Sequence, residues 1–299
     1  MRKKEKPEKL QNHEKPEKPE KKKMGKGRKA LLIIASVMLA AGLGLVLFPP
    51  ISNFIGARIA EKQIKAFEDR LERVITEDDD LGTGITSLTY ADALEAGEID
   101  KQGYPIDSKG KRKGKQVLFS ADLERLKRDV IAYNEELKTY QGAKFMGKLD
   151  FGNPALRLRD YGITDGVYGY VSAPSINMKL PIYLGASDAN MSYGAAHMTY
   201  TSLPFGGVDT NAVVAGHTGY IGRIFFDNIR RLGTGDKIYV RTFWGTLTYE
   251  VKDSQIHDPS EAECAFIQKG KDMFTMFTCT PKGGGQFNRY FVMCERVTE

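Results

Sequence analysis

Cysteine is scarce in this chain: three in 299 residues, at Cys264, Cys279 and Cys294. So few thiols exclude a scaffold built on disulfides. At most one bridge can form, Cys264 to Cys294, with two buried free thiols as the alternative; either way one cysteine is left over. The four histidines include no closely spaced ligand pair. A zinc site made from His197, His217 and Cys279 is therefore not expected, and neither is any other metal or cofactor. Positive charge is missing from most of the chain. The overall charge is +6, but residues 1–29 hold 13 Lys/Arg against 5 Glu, so that tail carries +8 and the remainder −2. A folded part with no basic excess gives no electrostatic reason to bind nucleic acid. Long apolar runs are missing too, with one exception.

The exception is residues 30–48, ALLIIASVMLAAGLGLVLF, 19 residues without a charge. As a helix this run crosses a hydrocarbon core of about 30 Å. A cleaved leader usually has an apolar region of only about 7–15 residues. No small-x-small cleavage site follows here, but Pro49-Pro50 does. The run reads as a single uncleaved anchor in the cell membrane. The tail before it, with its EKPEKL and EKPEKPEKKK segments, has almost nothing apolar to bury and reads as disordered. Lysines crowd that side, which places the tail in the cytoplasm and everything after the anchor outside the cell.

Beyond the anchor, Ile64, Phe67, Leu71 and Val74 recur at helical spacing. Residues 81–116 are poorly patterned, and KGKRKGK reads as a solvated loop. A second helix spans 120–138, with Ser120 as N-cap and Leu123, Leu126, Val130, Tyr133 and Leu137 as its stripe. From Asp165 the texture changes to seven short β-prone runs punctuated by Gly, Pro, Asn and Asp: 167–171, 178–184, 211–215, 237–241, 247–252, 273–278 and 290–295. Short helices are placed at 192–196 and 224–231. The expected architecture is a mostly β domain, closed or sandwiched and taken as a closed barrel, preceded by a helical arm. Four segments follow: a tail at 1–29, an anchor at 30–48, an arm with loop and candidate lid at 49–164, and a catalytic barrel at 165–299.

Cys279 ends an apolar strand-like run and precedes a Gly-rich loop, which places its thiol at a strand end facing solvent. A thiol acts as thiolate, and a neighbouring histidine or cation favours that form. His217, in VVAGHTGYIG, has the same strand-end placement. Arg289 opens the next strand, from which a guanidinium can return toward Cys279 and stabilise an oxyanion. A cysteine with a distant histidine is weak by itself; an ordinary buried cysteine fits the composition as well.

The context of the three residues resembles the sortases. Thr275-Met276-Phe277-Thr278-Cys279 matches the family's T-L-x-T-C with Met for Leu, Gly216-His217 matches its G-H, and Arg289 follows on the next strand. The stretches TCTP, GYVSAPSINMKLPIYLGAS, SLPFGG and IFFDNIRRLGTGDKIYV are most similar to class C, the pilin-polymerising branch. The resemblance implies a sortase-type β-barrel and a cysteine transpeptidase with Cys279, His217 and Arg289 as its catalytic residues. Thr278, Ser202, Leu203 and Pro204 would bind substrate or support the site. It further implies secreted partners with C-terminal LPxTG-like sorting signals, in this class pilins. Two departures stand out. The class C lid carries an Asp-Pro-aromatic motif, where this chain has Asp150-Phe151 without the proline as a candidate lid. No second hydrophobic span follows the barrel, as in class B or D layouts, whose acceptor is a cell-wall amine. A non-catalytic surface binding module is the competing class. Other residues read as scaffold: His197 as structural or groove-lining, His257 before Asp258-Pro259 as a turn, and Trp244 as strand packing.

Overall fold

The computed structural model describes residues 25–76, 83–145, 151–219, 224–261 and 263–297, which fall into two compact units, 1–48 and 49–299. The first unit holds the apolar part of helix α1 (Lys26–Leu71), among the described residues the one helix long and apolar enough to cross a membrane. From Leu31 to Phe48 its large apolar side chains are exposed, which water does not favour and lipid does.

In the second unit, the rest of α1 is an arm. Gly56, Ala60, Ile64 and Phe67 are buried along one stripe. Phe67 is fully buried among Val167, Tyr183 and Phe243, its ring centroid 5.1 Å from that of Phe243. The Tyr170 hydroxyl donates to Glu68 at 2.7 Å, and buried Arg70 pairs with Asp165 at 2.5 Å. A helix approaching the barrel with Phe67, Glu68 and Arg70 at successive contacts is fixed in direction as well as position.

Residues 83–119 are more than a solvated loop. A parallel pair, β1 (Val74–Ile75) with β2 (Leu118–Phe119), and the short helix α2 (Tyr90–Glu95), N-capped by Thr89, enclose a core of Ile75, Ile85, Ala93, Ile99, Val117 and Phe119. The basic turn at 108–115 is exposed throughout. Helix α3 (Ser120–Phe145) buries Leu123, Leu126, Val130 and Leu137, the stripe its spacing predicts. Its polar stitches are non-local. Buried Asn134 donates to Leu203 O at 3.1 Å and accepts from Leu203 N at 2.7 Å, while Gln141 does the same between Tyr200 O and Ile267 N.

The barrel has eight strands: β3 (Val167–Ala173), β4 (Met178–Leu184), β5 (Ala195–His197), β6 (Thr210–Ala215), β7 (Lys237–Thr242), β8 (Gly245–His257), β9 (Asp272–Gly283) and β10 (Gln286–Arg296), with the four-residue helix α4 (Asp188–Met191) before β5. They close in the order β10-β8-β7-β3-β4-β5-β6-β9. β4–β5 and β6–β9 are parallel and all other neighbours antiparallel. Val171, Ile182, Val214, Val240, Val251, Met276 and Val292 fill the interior. Expectation and structure differ at two places. Residues 192–196 run into strand β5, too short to show alternation, and within 224–231 only Ile229–Arg231 forms a single 3-10 turn. Cys264 and Cys294 are free thiols, Cys294 inside the barrel and Cys264 in the outer cluster around Phe291.

The arm's attachment rests on one ring. Phe67→Ala removes a fully buried aromatic and is expected to cost about 3–5 kcal/mol. Urea denaturation of the full chain in detergent checks it; a loss below about 1 kcal/mol would mean the arm is not part of the cooperative unit.

Candidate active site

Two strand pairings bring three distant residues to one level. β6 and β9 run parallel with Ala215 opposite Phe277. The pairing continues past β6, because Gly216 N donates to Phe277 O at 3.1 Å and Thr278 Oγ1 donates to Gly216 O at 2.6 Å. The next residue along each segment is His217 on one side and Cys279 on the other. On the other side of β9, Arg289 of β10 stands directly opposite Cys279, and its Nη1 donates to Cys279 Sγ at 3.3 Å. One strand further, His257 of β8 stands opposite Arg289. A row of His217, Cys279, Arg289 and His257 therefore crosses four adjacent strands.

Strand parity decides which way the row faces. Phe274 and Met276 point into the barrel and Thr278 and Thr280 are buried on the same parity, so Phe277 and Cys279 point outward. Outside, the Phe277 ring stacks on Phe291 at 5.2 Å, and Val213, Ala265, Met198 and Cys264 complete an apolar floor beside the thiol. Cys279, Arg289 and His217 are each partly exposed, whereas Val213, Ala265 and Phe291 are buried beneath them. Among the described residues, no group of three or more His, Cys, Asp or Glu is placed to hold a metal ion.

His217 is held from below and beside. Gly216 is required because a Cβ there would meet the Phe226 ring at 2.6 Å. Phe226 N donates to His217 O at 2.9 Å, and the His217 ring packs edge-on against Phe225 at 6.3 Å. Asp227 fixes the returning loop by accepting from Gly219 N and Phe225 N. Sequence reading singled out Cys279, His217 and Arg289 but not their neighbours Phe277, Phe291 and Asp227. Asp227 stands within the quoted IFFDNIRRL stretch, but the amides it binds precede it by two and eight residues, so no local turn pattern announces it.

Several candidates lie elsewhere. Ser202 and Leu203 are buried, bonded to Asn211 and Asn134, and Pro204 O accepts from Tyr168. Ser202 pairs with Asn211 near the start of β6, whereas His217 follows its end, so SLPFGG ties α3 to the barrel rather than meeting Cys279. Phe151 packs on Tyr200, and its carbonyl accepts from Ala186 N at 2.6 Å, toward that same far end. Asp150 lies outside the described residues. His257 ends strand β8 rather than forming a turn; its Nε2 is 2.7 Å from Gln255 Oε1, and its ring packs on Phe291.

The other thiols are chemically quiet. Burial pushes Cys264 up to about 11 and raises Cys294 as well, and neither has a guanidinium beside it. His197 is wholly buried; its Nε2–H donates to Ser202 O at 2.9 Å, leaving Nδ1 bare. Desolvation holds this ring down at about 4, against an ordinary 6.5, so it stays neutral and takes no part in proton transfer at neutral pH.

A sortase domain family matches residues 171–297. Sortase D of Bacillus subtilis is 28% identical over 134 residues, which is 44% of this chain and 64% of that protein. The chain spans 47–64% of the length of the curated relatives it matches. Among solved structures, sortase C-1 from Streptococcus pneumoniae superposes with a TM-score of 0.52 at 27% identity, over 61% of this chain and 93% of that one. Sortase C1 of GBS pilus island 1 gives 0.51 at 28%, over 60% and 91%.

The buried His197 makes stability pH-dependent with a definite sign. Between about 6.5 and about 4 the unfolded chain binds a proton that the folded one refuses, so stability falls as pH drops through that window and this contribution is flat outside it. The loss is about 3 kcal/mol. Urea denaturation at about pH 7 and about pH 4.5 should show a smaller difference for His197→Gln than for the parent chain; equal differences would refute the assignment.

Proposed function

We propose that this chain, whose residues 171–297 match a sortase domain family, is a membrane-anchored cysteine transpeptidase whose catalytic residues are Cys279, His217 and Arg289. The observation that carries this is the Arg289 Nη1 contact with Cys279 Sγ at 3.3 Å, one strand away from His217. The guanidinium, already in contact with the sulfur, remains in place for the oxyanion that follows.

The donor is a secreted protein with an LPxTG-like sorting signal, its apolar residues on Phe277 and Phe291. The Cys279 sulfur bonds to the Thr carbonyl carbon, and Arg289 balances the charge of the tetrahedral oxyanion. As the C–N bond breaks, the amine of the following Gly leaves with a proton from His217, and a thioester remains. An incoming amine then loses its proton to His217 and bonds to the same carbon, and the C–S bond breaks to free the sulfur. Thr278 takes part through its bond to Gly216 O, which keeps His217 level with Cys279. The acceptor is a pilin lysine, which the likeness to sortase C1 of GBS pilus island 1 supports. The anchor at residues 30–48 keeps the enzyme in the cell membrane, with its tail in the cytoplasm and the barrel outside where these substrates emerge.

The test mixes full-length protein in detergent with an LPxTG peptide and a lysine-bearing pilin fragment, followed by mass spectrometry. A thioester on Cys279 and an isopeptide to lysine are expected, and both vanish in Cys279→Ala. Arg289→Gln should lower kcat/KM about 10²–10³-fold. Transfer only to short wall-type amines would reassign the enzyme to cell-wall anchoring. No adduct with any sorting peptide would leave a non-catalytic binding module.

A further inference from the structure

A second groove opens on the His217 side of the row. It has a volume of 910 Å³ and runs between the arm and the barrel; the arm lines it with Asn53, Ala57 and Ile64, the barrel with Met178, Ile224 and Asn228. Its place in the fold follows from the register. Ile182 is level with Ala195, and Ala196 with Ala215, so Met178 and the β3–β4 turn lie at the end of the barrel where β6 delivers His217. Phe225, which packs against the His217 ring, is part of the groove wall. The groove thus begins beside the acid/base residue and leads away along the arm.

The geometry points to this groove as the seat of the acceptor: the polypeptide segment that carries the attacking amine. The inference rests on the transpeptidase reading above. With Arg289 and the apolar floor on one flank of Cys279, the donor chain occupies that flank. The amine must lose its proton to His217 as its nitrogen bonds to the thioester carbon, so it arrives from the other flank. The lining suits a peptide. Asn53, Asn177 and Asn228 offer amide donors and acceptors to a main chain, over an apolar floor of Ile64 and Met178. Glu61, Lys65 and Arg231 give the rim both signs of charge, which does not favour a polyanion.

The experiment separates the two half-reactions in the full-length protein in detergent. Ala57 is exposed on the arm, so Ala57→Trp fills the groove without disturbing buried packing; Ile224→Asp alters the barrel wall independently. Thioester formation from an LPxTG peptide, and release of that thioester to hydroxylamine, should stay within about twofold of the parent. Transfer to a lysine-bearing polypeptide fragment should fall at least about tenfold in both variants, a difference of about 1.4 kcal/mol in transition-state binding. Undiminished lysine transfer in both variants overturns the acceptor seat and leaves the transpeptidase intact. An equal fall with hydroxylamine overturns it also, since so small an amine needs no groove. A parent enzyme that aminolyses with hydroxylamine but never with the polypeptide does the same, and a parent that forms no thioester overturns both readings.

Discussion

The whole site depends on the parallel register between β6 and β9. Parallel neighbours cannot be joined by a tight turn, so the chain leaves β6 at Ala215, builds β7 and β8, and returns at Asp272. That crossover separates His217 from Cys279 by 62 positions, while the ladder brings the two segments together up to Ala215 and Phe277, two residues before each. A slip of one residue would turn one of the pair to the opposite face of the sheet. The bond from Thr278 Oγ1 to Gly216 O sits one residue before both reactive groups and holds the step where the regular ladder ends. β9 then needs only its own hairpin to bring Arg289 back opposite Cys279. One non-local pairing and one local turn thus assemble three residues that have no other reason to meet.

The parts legible in the sequence were those whose signal is local. MFTMFTCT is a short apolar, β-prone run, so a strand ending at the thiol could be read directly, as could the stripe of α3. The β-rich class also followed from short runs and turn residues, whereas closure into a barrel rather than a sandwich came only with the family resemblance. What escaped reading depends on partners far along the chain. Ser202, Leu203 and Pro204 looked like site residues because they fall in a family-like stretch. Their actual partners include Asn134 and Tyr168, 69 and 36 positions away, which no local pattern announces. Phe151 escaped for the same reason, since Tyr200 and Ala186 decide where it packs. Strand β5, at three residues, is too short to carry any period.

Scarcity made the reactive residues easier to single out, and burial explains why the remaining thiols and His197 are silent. Three cysteines share one barrel, yet only Cys279 has both solvent access and a cation in contact; Cys294 faces the core and Cys264 is half-buried in the outer apolar cluster. His197 and His217 are both near strand ends and both close to β6. One is sealed against Ser202 with a bare nitrogen, and the other stands in a turn open to substrate. A site is here less a special set of residues than a special set of exposures.

The arm carries the same logic to the scale of the domain. Its attachment is uneven: large side chains, Phe67 and Arg70, grip the barrel near the start of β3, at Val167 and Asp165. Toward its N-terminal end the facing positions are Gly56, Ala57 and Ala60. A straight helix gripped at one end and lined with small residues at the other must leave a gap there, and the gap falls at the β3–β4 turn because the arm runs antiparallel to β3. That is the end of the barrel where His217 and Cys279 emerge. The direction of one helix and the size of a few of its side chains therefore put an open groove beside the catalytic row, and the sequence joins that same end of the arm to the apolar run at residues 30–48.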